Sequence, residues 1–302
     1  MAELDVTQPF TTQRALAAGL TRSVLASSRY RQIVRGIHVS AAVTDVHAEA
    51  RAALMVASVR SALVSHHLAA RLYGAVVPDT PYLHVSVPPG AKRRRRDGVV
   101  VHHSARAAVR FRQLPVTSPE DTFLDLAAHL HLVDLVVLGD SLVRKGRTTG
   151  DRLTGAAGAA TGRGVRLARR AAALVRPRVD SPMETRCRML RVLSGLPELE
   201  TDIRFHDEHG NLRRRLDAGD RRTRTAVEYD GRHHVERERQ WEADLGRREE
   251  LEDDEWRVVT LVSKDVYRTP GDTVARLERI FRRRGIRVGR RSQEWRRYFP
   301  QR

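Results

Sequence analysis

Between Leu216 and Gly231 the chain spells out a hairpin that gathers acidic residues at fixed intervals, the most informative stretch of the chain. An apolar-to-polar run reaches Asp217-Ala218-Gly219-Asp220, the turn-like Arg221-Arg222-Thr223-Arg224 follows, and Ala226-Val227-Glu228-Tyr229-Asp230 resumes a strand that Gly231 breaks. Side chains in a strand repeat every two residues, so Glu228 and Asp230 fall on one side of the pleat. The hairpin sets Asp217 on the strand next to Glu228, and an approach of their carboxylates to within about 6 Å lets them share one cation. His233 and His234 come directly afterwards. Carboxylate oxygens suit Mg²⁺ or Mn²⁺, whose usual task in such a site is to stabilise a phosphate undergoing displacement.

The same stretch carries a resemblance. Asp217, then Glu228-Tyr229-Asp230-Gly231 with His233-His234, then Trp241, Asp244 and Arg248, then Trp256-Arg257-Val258-Val259, resembles the PD-(D/E)XK nuclease superfamily in its very-short-patch-repair branch. The resemblance covers roughly residues 179–285. It implies a mixed sheet flanked by helices, metal held by Asp217 and Glu228, and His234 as acid or base near the scissile phosphate. It also implies a helix glutamate reaching the metal, and Glu184 has that position. The pattern departs from the superfamily at one place: Asp230 stands where the usual catalytic Lys would be. An ionised carboxylate cannot donate a hydrogen bond, so Asp230 serves either as a further ligand or as an anchor for His234.

Residues around the hairpin have plainer roles as well. Asp180-Ser181-Pro182-Met183-Glu184 reads as a helix start, with Ser181 at the cap, Pro182 in the first turn and Glu184 where a capping box needs it. Trp241 and Leu245 are one helical turn apart and read as core. Arg248 is either a partner of Asp244 or a phosphate contact.

The N-terminus has its own order. Thr11-Thr12 caps a helix through Ala18, Gly19 turns, Thr21 caps a second helix to about Ser28, and Gln32–Val39 forms a ribbon. Helix, turn, helix and ribbon is the winged helix-turn-helix sequence, in which Arg22, Arg29, Arg31 and Arg35 would face a duplex. Ala15-Leu16-Ala17-Ala18-Gly19-Leu20-Thr21-Arg22 and Arg35-Gly36-Ile37-His38-Val39 are similar to the N-terminal domain of AbiEi-type antitoxins, which implies promoter binding and a toxin as operon partner.

A formal charge of +18 and a pI near 11.2 attract polyanions, DNA first among them. Only Lys92, Lys145 and Lys264 are lysines, so part of the arginine excess reflects codon bias. Lys92–Arg96 with Asp97-Gly98 joins two strand-like runs, Tyr82–Val87 and Val99–His103, and reads as a hairpin tip. From Arg282 onward the chain carries nine Arg with Trp295, Tyr298 and Phe299, a composition suited either to phosphate contact with base stacking or to a solvated end. Residues 46–178 read as mixed α/β, with helices at His47–Val59, Ser65–Gly74 and Val165–Val175 and two within Ser118–Lys145. Thr154–Gly164 reads as a loose connection. Asp121, Asp125, His129 and Asp140 read as surface and capping groups on apolar-striped helices.

The expected organisation is therefore α+β, in four parts: a winged helix over 1–45, a linking domain over 46–178, a nuclease-like domain over 179–285 and a basic, aromatic tail over 286–302. The lone Cys187 excludes an internal disulfide and fits a reducing cytoplasm. No apolar run spans a membrane and Met1-Ala2-Glu3 opens no signal peptide. Two functions fit: a Mg²⁺-dependent DNA endonuclease, or an antitoxin-type regulator whose nuclease-like domain has lost catalysis.

Overall fold

A computed structural model describes residues 4–92, 96–231 and 254–299 of the chain. The fold is mixed α+β, as the sequence patterning requires, and it divides into two compact units. The first comprises residues 1–130 and 145–173, and the second residues 131–144 and 174–302. Among the described residues no helix is long and apolar enough to cross a membrane.

The first unit opens with β1 (Phe10–Thr11), α1 (Thr12–Ala17), α2 (Arg22–Leu25), β2 (Tyr30–Val34) and β3 (Ile37–Ser40), whose strands form a three-stranded sheet in the order β1-β3-β2. Thr11 and Thr21 cap the two helices as expected, each accepting a hydrogen bond from the backbone three residues on. Phe10, Ala15 and Leu25 make the small core beneath them. Helix α2 is shorter than the sequence reading. The Ser27 hydroxyl donates to the Val24 carbonyl at 2.7 Å, one of the local bonds with which serine competes against helix continuation.

Next come α3 (Val46–Ala57), β4 (Leu63–Val64), α4 (His66–Leu72), β5 (Leu83–Val87), β6 (Val99–His103), β7 (Ala108–Phe111), β8 (Leu114–Thr117) and α5 (Pro119–Leu126). Their strands form a five-stranded sheet in the order β6-β5-β4-β8-β7. The hairpin expected over Tyr82–His103 is not one: β5 and β6 run parallel, Leu83 beside Val99 through Val87 beside His103. Asp97-Gly98 does make a tight turn, Gly98 at φ +82° and Val99 donating to the Arg96 carbonyl, but the turn only feeds β6. A turn dipeptide specifies a local reversal and says nothing about the direction of the strands around it, and the connection over 88–98 is long enough to cross back.

Helix α6 (Leu132–Arg144), grouped with the middle of the chain by the sequence reading, belongs to the second unit, whereas α7 (Gly150–Ala159) and most of α8 (Val165–Leu174) return to the first. Much of the Gly/Ala segment expected as a loose connection is thus helix. Thr149 caps α7, and Leu153 and Ala157, one turn apart, are both fully buried. Burial of that stripe and the alanines' helix propensity outweigh the roughly 1 kcal/mol that each interior glycine costs.

The second unit is built on α9 (Pro182–Leu193) and a mixed sheet of β9 (Glu200–His206), β10 (Leu212–Asp220), β11 (Thr225–Tyr229) and β12 (Arg257–Leu261), in the order β12-β11-β10-β9. Strands β9, β10 and β11 are an antiparallel meander, and β12 lies parallel to β11. Asp220 closes the β10–β11 turn by accepting the Thr223 N–H at 2.8 Å and the Thr223 hydroxyl at 3.1 Å. Gly219 is required by packing, because a Cβ there would stand 2.9 Å from Ile203 and 3.1 Å from Trp256. Helices α10 (Ser263–Tyr267) and α11 (Pro270–Arg283) follow, and α6, α11 and β11 all pack on α9.

The C-terminal segment docks on the same helix. Trp295 and Phe299 are 3% and 2% exposed, Ser292 donates to the Ser194 carbonyl at 2.9 Å, and a Cβ at Gly195 would lie 2.3 Å from the Arg290 carbonyl oxygen. Trp295 and Phe299 are core residues, so they offer no faces for base stacking and residues 286–299 are no solvated end. Asp140 is also no surface group: it is 2% exposed and carries a buried ion pair.

Candidate functional site

In the second unit, α9 and the β10–β11 hairpin bring Glu184 and Asp217 onto one small open pocket, with Arg188, Arg191, Cys187 and Tyr229 also in its lining. Both carboxylates accept backbone hydrogen bonds. Glu184 Oε2 accepts the Asp180 N–H at 3.0 Å while the Glu184 N–H donates to Ser181 Oγ at 3.1 Å, a capping box displaced by one residue on its return bond. Asp217 Oδ2 accepts the Tyr229 N–H at 2.9 Å, just beyond the Ala218–Val227 pair of the ladder. Burial and then the charge of Asp217 push the Glu184 carboxyl above its usual range. That repulsion is what a shared cation would relieve.

Glu228 lies on β11 adjacent to β10, as the hairpin pattern requires, and is partly buried, but the cavity is lined by its neighbours Val227 and Tyr229 and not by Glu228 itself. Asp230 continues the β11–β12 ladder by donating its N–H to the Leu261 carbonyl at 2.8 Å. His233, His234, Trp241, Asp244, Leu245 and Arg248 lie outside the described residues, as do Arg93–Arg95 of the basic cluster. The sequence did not point to the cations in the cavity. Arg191 is 2% exposed, its Nε and Nη1 make no hydrogen bond, and burial lowers its pKa while leaving it charged at neutral pH. Arg188 donates to Asp140 Oδ2 at 2.7 Å and to the Leu174 carbonyl at 2.8 Å. Oxygen donors converging from a helix and a strand fit a hard divalent cation, with Glu184 and Asp217 as the pair on the cavity.

On the winged segment Arg22, Arg29 and Arg35 are exposed. Arg31 is half-buried and its Nε donates to the Val43 carbonyl at 2.6 Å, so it clamps the ribbon to the loop after it. Arg96 of the basic cluster donates to the Arg35 carbonyl at 2.9 Å.

The first unit also holds a cluster that the sequence reading did not assemble. His66 at the start of α4, His84 on β5 and His102 on β6 come together, with ligand nitrogens all within 4.8 Å of one another. The His66 and His102 rings stack with centroids 3.7 Å apart, and His84 Nδ1 and His102 Nε2 are hydrogen-bonded at 2.9 Å. His67 and His129 flank them, at 5.0 Å from His84 and 5.3 Å from His66 between ring centroids. Burial, then the mutual repulsion of the rings, lowers His66 to about 2 and His84 to about 3, so both are neutral in ordinary buffers. Asp125, expected to be a surface group, faces this cluster with Oδ2 3.9 Å from His66 Nδ1, while Oδ1 accepts Arg106 Nε at 2.8 Å. The available signal was alternation: His84 and Ser86 fall on one side of β5, and Ser86 donates to Ser65, which bonds His66 Nδ1 at 3.0 Å.

No known family profile matches the chain. It is similar to an uncharacterized Mycobacterium tuberculosis protein, Rv2248 in strain H37Rv and MT2308 in strain CDC 1551, at 28% identity over 215 residues, 70% of this chain and 78% of that one. The crystal structure of the Rv2827c protein from the same organism aligns with 60% of this chain and 75% of its own, at 17% identity and a TM-score of 0.35, too low to carry an argument.

Proposed function

We propose that the second unit is the catalytic module of a Mg²⁺- or Mn²⁺-dependent DNA endonuclease, and that the winged segment, through Arg22, Arg29 and Arg35, contributes to holding the duplex. The observation that carries this reading is the convergence of Glu184 and Asp217, 33 positions apart in the chain (217 − 184), on one cavity beside the strand that bears Glu228. Glu184 and Asp217 would hold the cation from the cavity lining, with Glu228 on the adjacent strand as the candidate further ligand, and the bound cation would supply charge neutralisation at the scissile phosphate. Asp217 is oriented by the Tyr229 N–H and Glu184 by the Asp180 N–H. His234 remains the candidate acid or base and Arg248 the candidate phosphate contact.

The test is purified protein with supercoiled plasmid and Mg²⁺, Mn²⁺ or EDTA. Asp217→Asn and Glu228→Gln should each abolish metal-dependent cleavage, and His234→Ala should slow it by about 10²–10⁴-fold with duplex affinity kept. A second reading has one observation in its favour. Asp230 occupies the position of the usual catalytic Lys, which suits a DNA-binding regulator of antitoxin type. Tight, salt-sensitive duplex binding with no cleavage under any divalent metal would decide for that regulator.

A further inference from the structure

We propose that His66, His84 and His102 form a binding site for a transition-metal cation of the Zn²⁺ class, with Asp125 as the fourth ligand. The site belongs to the first unit and is independent of the carboxylate cavity. Imidazole nitrogens suit Zn²⁺, Cu²⁺ and Ni²⁺, whereas the Mg²⁺ expected of the carboxylates takes oxygen donors, so the two sites differ in kind.

Geometry brings the ligands close to what such a cation needs. Zn–N bonds of about 2.0–2.1 Å in a tetrahedron place ligand nitrogens roughly 3.3 Å apart. One pair, His84 Nδ1 and His102 Nε2, stands at 2.9 Å already, and all three ligand nitrogens lie within 4.8 Å of one another. The His66 and His102 rings now stack at 13° between planes, so binding would turn them until their lone pairs meet at one ion. Asp125 Oδ2, 3.9 Å from His66 Nδ1, is the nearby acidic oxygen, and it makes no hydrogen bond.

A packing role does not account for the arrangement. His84 is 7% exposed, yet its Nε2 has no hydrogen-bond partner, and neither has Nδ1 of the adjacent His67. An aliphatic core would avoid both unmet groups. His66 is held at φ +52°, a conformation L-residues adopt rarely, and its ring stacks on His102 from there. Ser65 Oγ at 3.0 Å orients that ring through its Nδ1, as the neighbours of metal-bound histidines do. His129 at the margin is exposed, so the cluster has a solvent-facing side through which an ion enters.

The experiment uses the full chain, stripped with EDTA and dialysed, then titrated with Co²⁺ under reducing conditions. The expected result is a visible ligand-field band that saturates at one equivalent, is displaced by Zn²⁺ and is indifferent to excess Mg²⁺. Zn²⁺ should also raise the thermal midpoint of the wild type. His102→Gln, at a half-buried position, should weaken Co²⁺ binding by at least about 10²-fold, with an unchanged circular dichroism spectrum serving as its folding control. Asp217→Asn should leave the band intact. Absence of both the band and the thermal shift in the wild type would overturn the proposal, as would a band lost in Asp217→Asn but kept in His102→Gln. Neither result bears on whether the carboxylate cavity cuts DNA.

Discussion

Removing the Asp140 carboxylate should cost the second unit about 3–5 kcal/mol, a large share of the roughly 5–15 kcal/mol by which a domain is stable. Asp140 on α6 and Arg188 on α9 are each 2% exposed and pair at 2.7 Å. The carboxylate also accepts the Arg176 N–H and the Thr185 hydroxyl, both at 2.8 Å. In Asp140→Ala the Thr185 hydroxyl can turn to its own helix backbone, but the guanidinium cannot leave. It keeps the Leu174 carbonyl at 2.8 Å and a longer approach to Glu198 at 3.7 Å, so the cost is that of a buried charge stripped of its main partner. The pair itself need not be a net stabiliser: replacing both members with apolar residues, Asp140→Leu with Arg188→Met, should recover most of the loss. Urea denaturation followed by tryptophan fluorescence suits the measurement, because Trp256 and Trp295 both belong to the second unit. A cost below about 1 kcal/mol for Asp140→Ala, or additivity of the two single changes, would mean that the pair is solvated and that α6 does not seat α9 as described. Glu184 lies one turn before Arg188 and Arg191 one turn after it, so the same variant should also disturb the cavity.

Two further outcomes are open to simple tests. Truncation after Gly289 removes Trp295 and Phe299 from the second unit's core, and should lower its unfolding midpoint substantially before any effect on DNA binding is considered, as calorimetry would detect; an unchanged midpoint would return the segment to the role of a solvated end. Cys187 is 5% exposed and burial pushes its thiol up to about 12, so a thiol reagent at pH 8 should label it only at the rate of global opening and at full speed in denaturant.

The parts of the fold legible in the sequence were those whose signals are local. Thr11, Thr21 and Ser181 all accept the bond that a helix cap accepts, and the hairpin through Asp217 and Glu228 follows from apolar runs and a turn-forming tetrad. What was not legible depends on which distant strand lies alongside. The parallel pairing of β5 with β6 cannot be read from Asp97-Gly98, because the same dipeptide serves a hairpin or a strand entrance. The imidazole cluster depends on that pairing: Ser86 stands beside His102 only in the parallel register. Arginine misled in the other direction. In a chain with so many, exposure was the default expectation, yet Arg188 and Arg191 are among the most deeply buried side chains.

On the nuclease reading, Asp230 stands where a catalytic Lys would be expected. Glu228 pairs with Thr260, Tyr229 with Leu261, and the Asp230 N–H reaches the Leu261 carbonyl, so the ladder runs unbroken to the position where the amine is expected. Electrostatics of the cavity then say what the exchange does. Among the described residues its charged lining is Glu184, Asp217, Arg188 and Arg191, and Arg188 is committed to Asp140. A divalent cation between the two carboxylates would offset their repulsion of a phosphodiester. On the nuclease reading, therefore, duplex binding at this cavity needs the metal, and an acidic residue at 230 sharpens that dependence. Asp230→Lys changes the local charge by +2. It should shrink the ratio of duplex affinities measured with and without Mg²⁺, at constant ionic strength, in a way that Asp230→Asn reproduces only in part. An identical ratio in the wild type and both variants would place the bound phosphate away from this strand end.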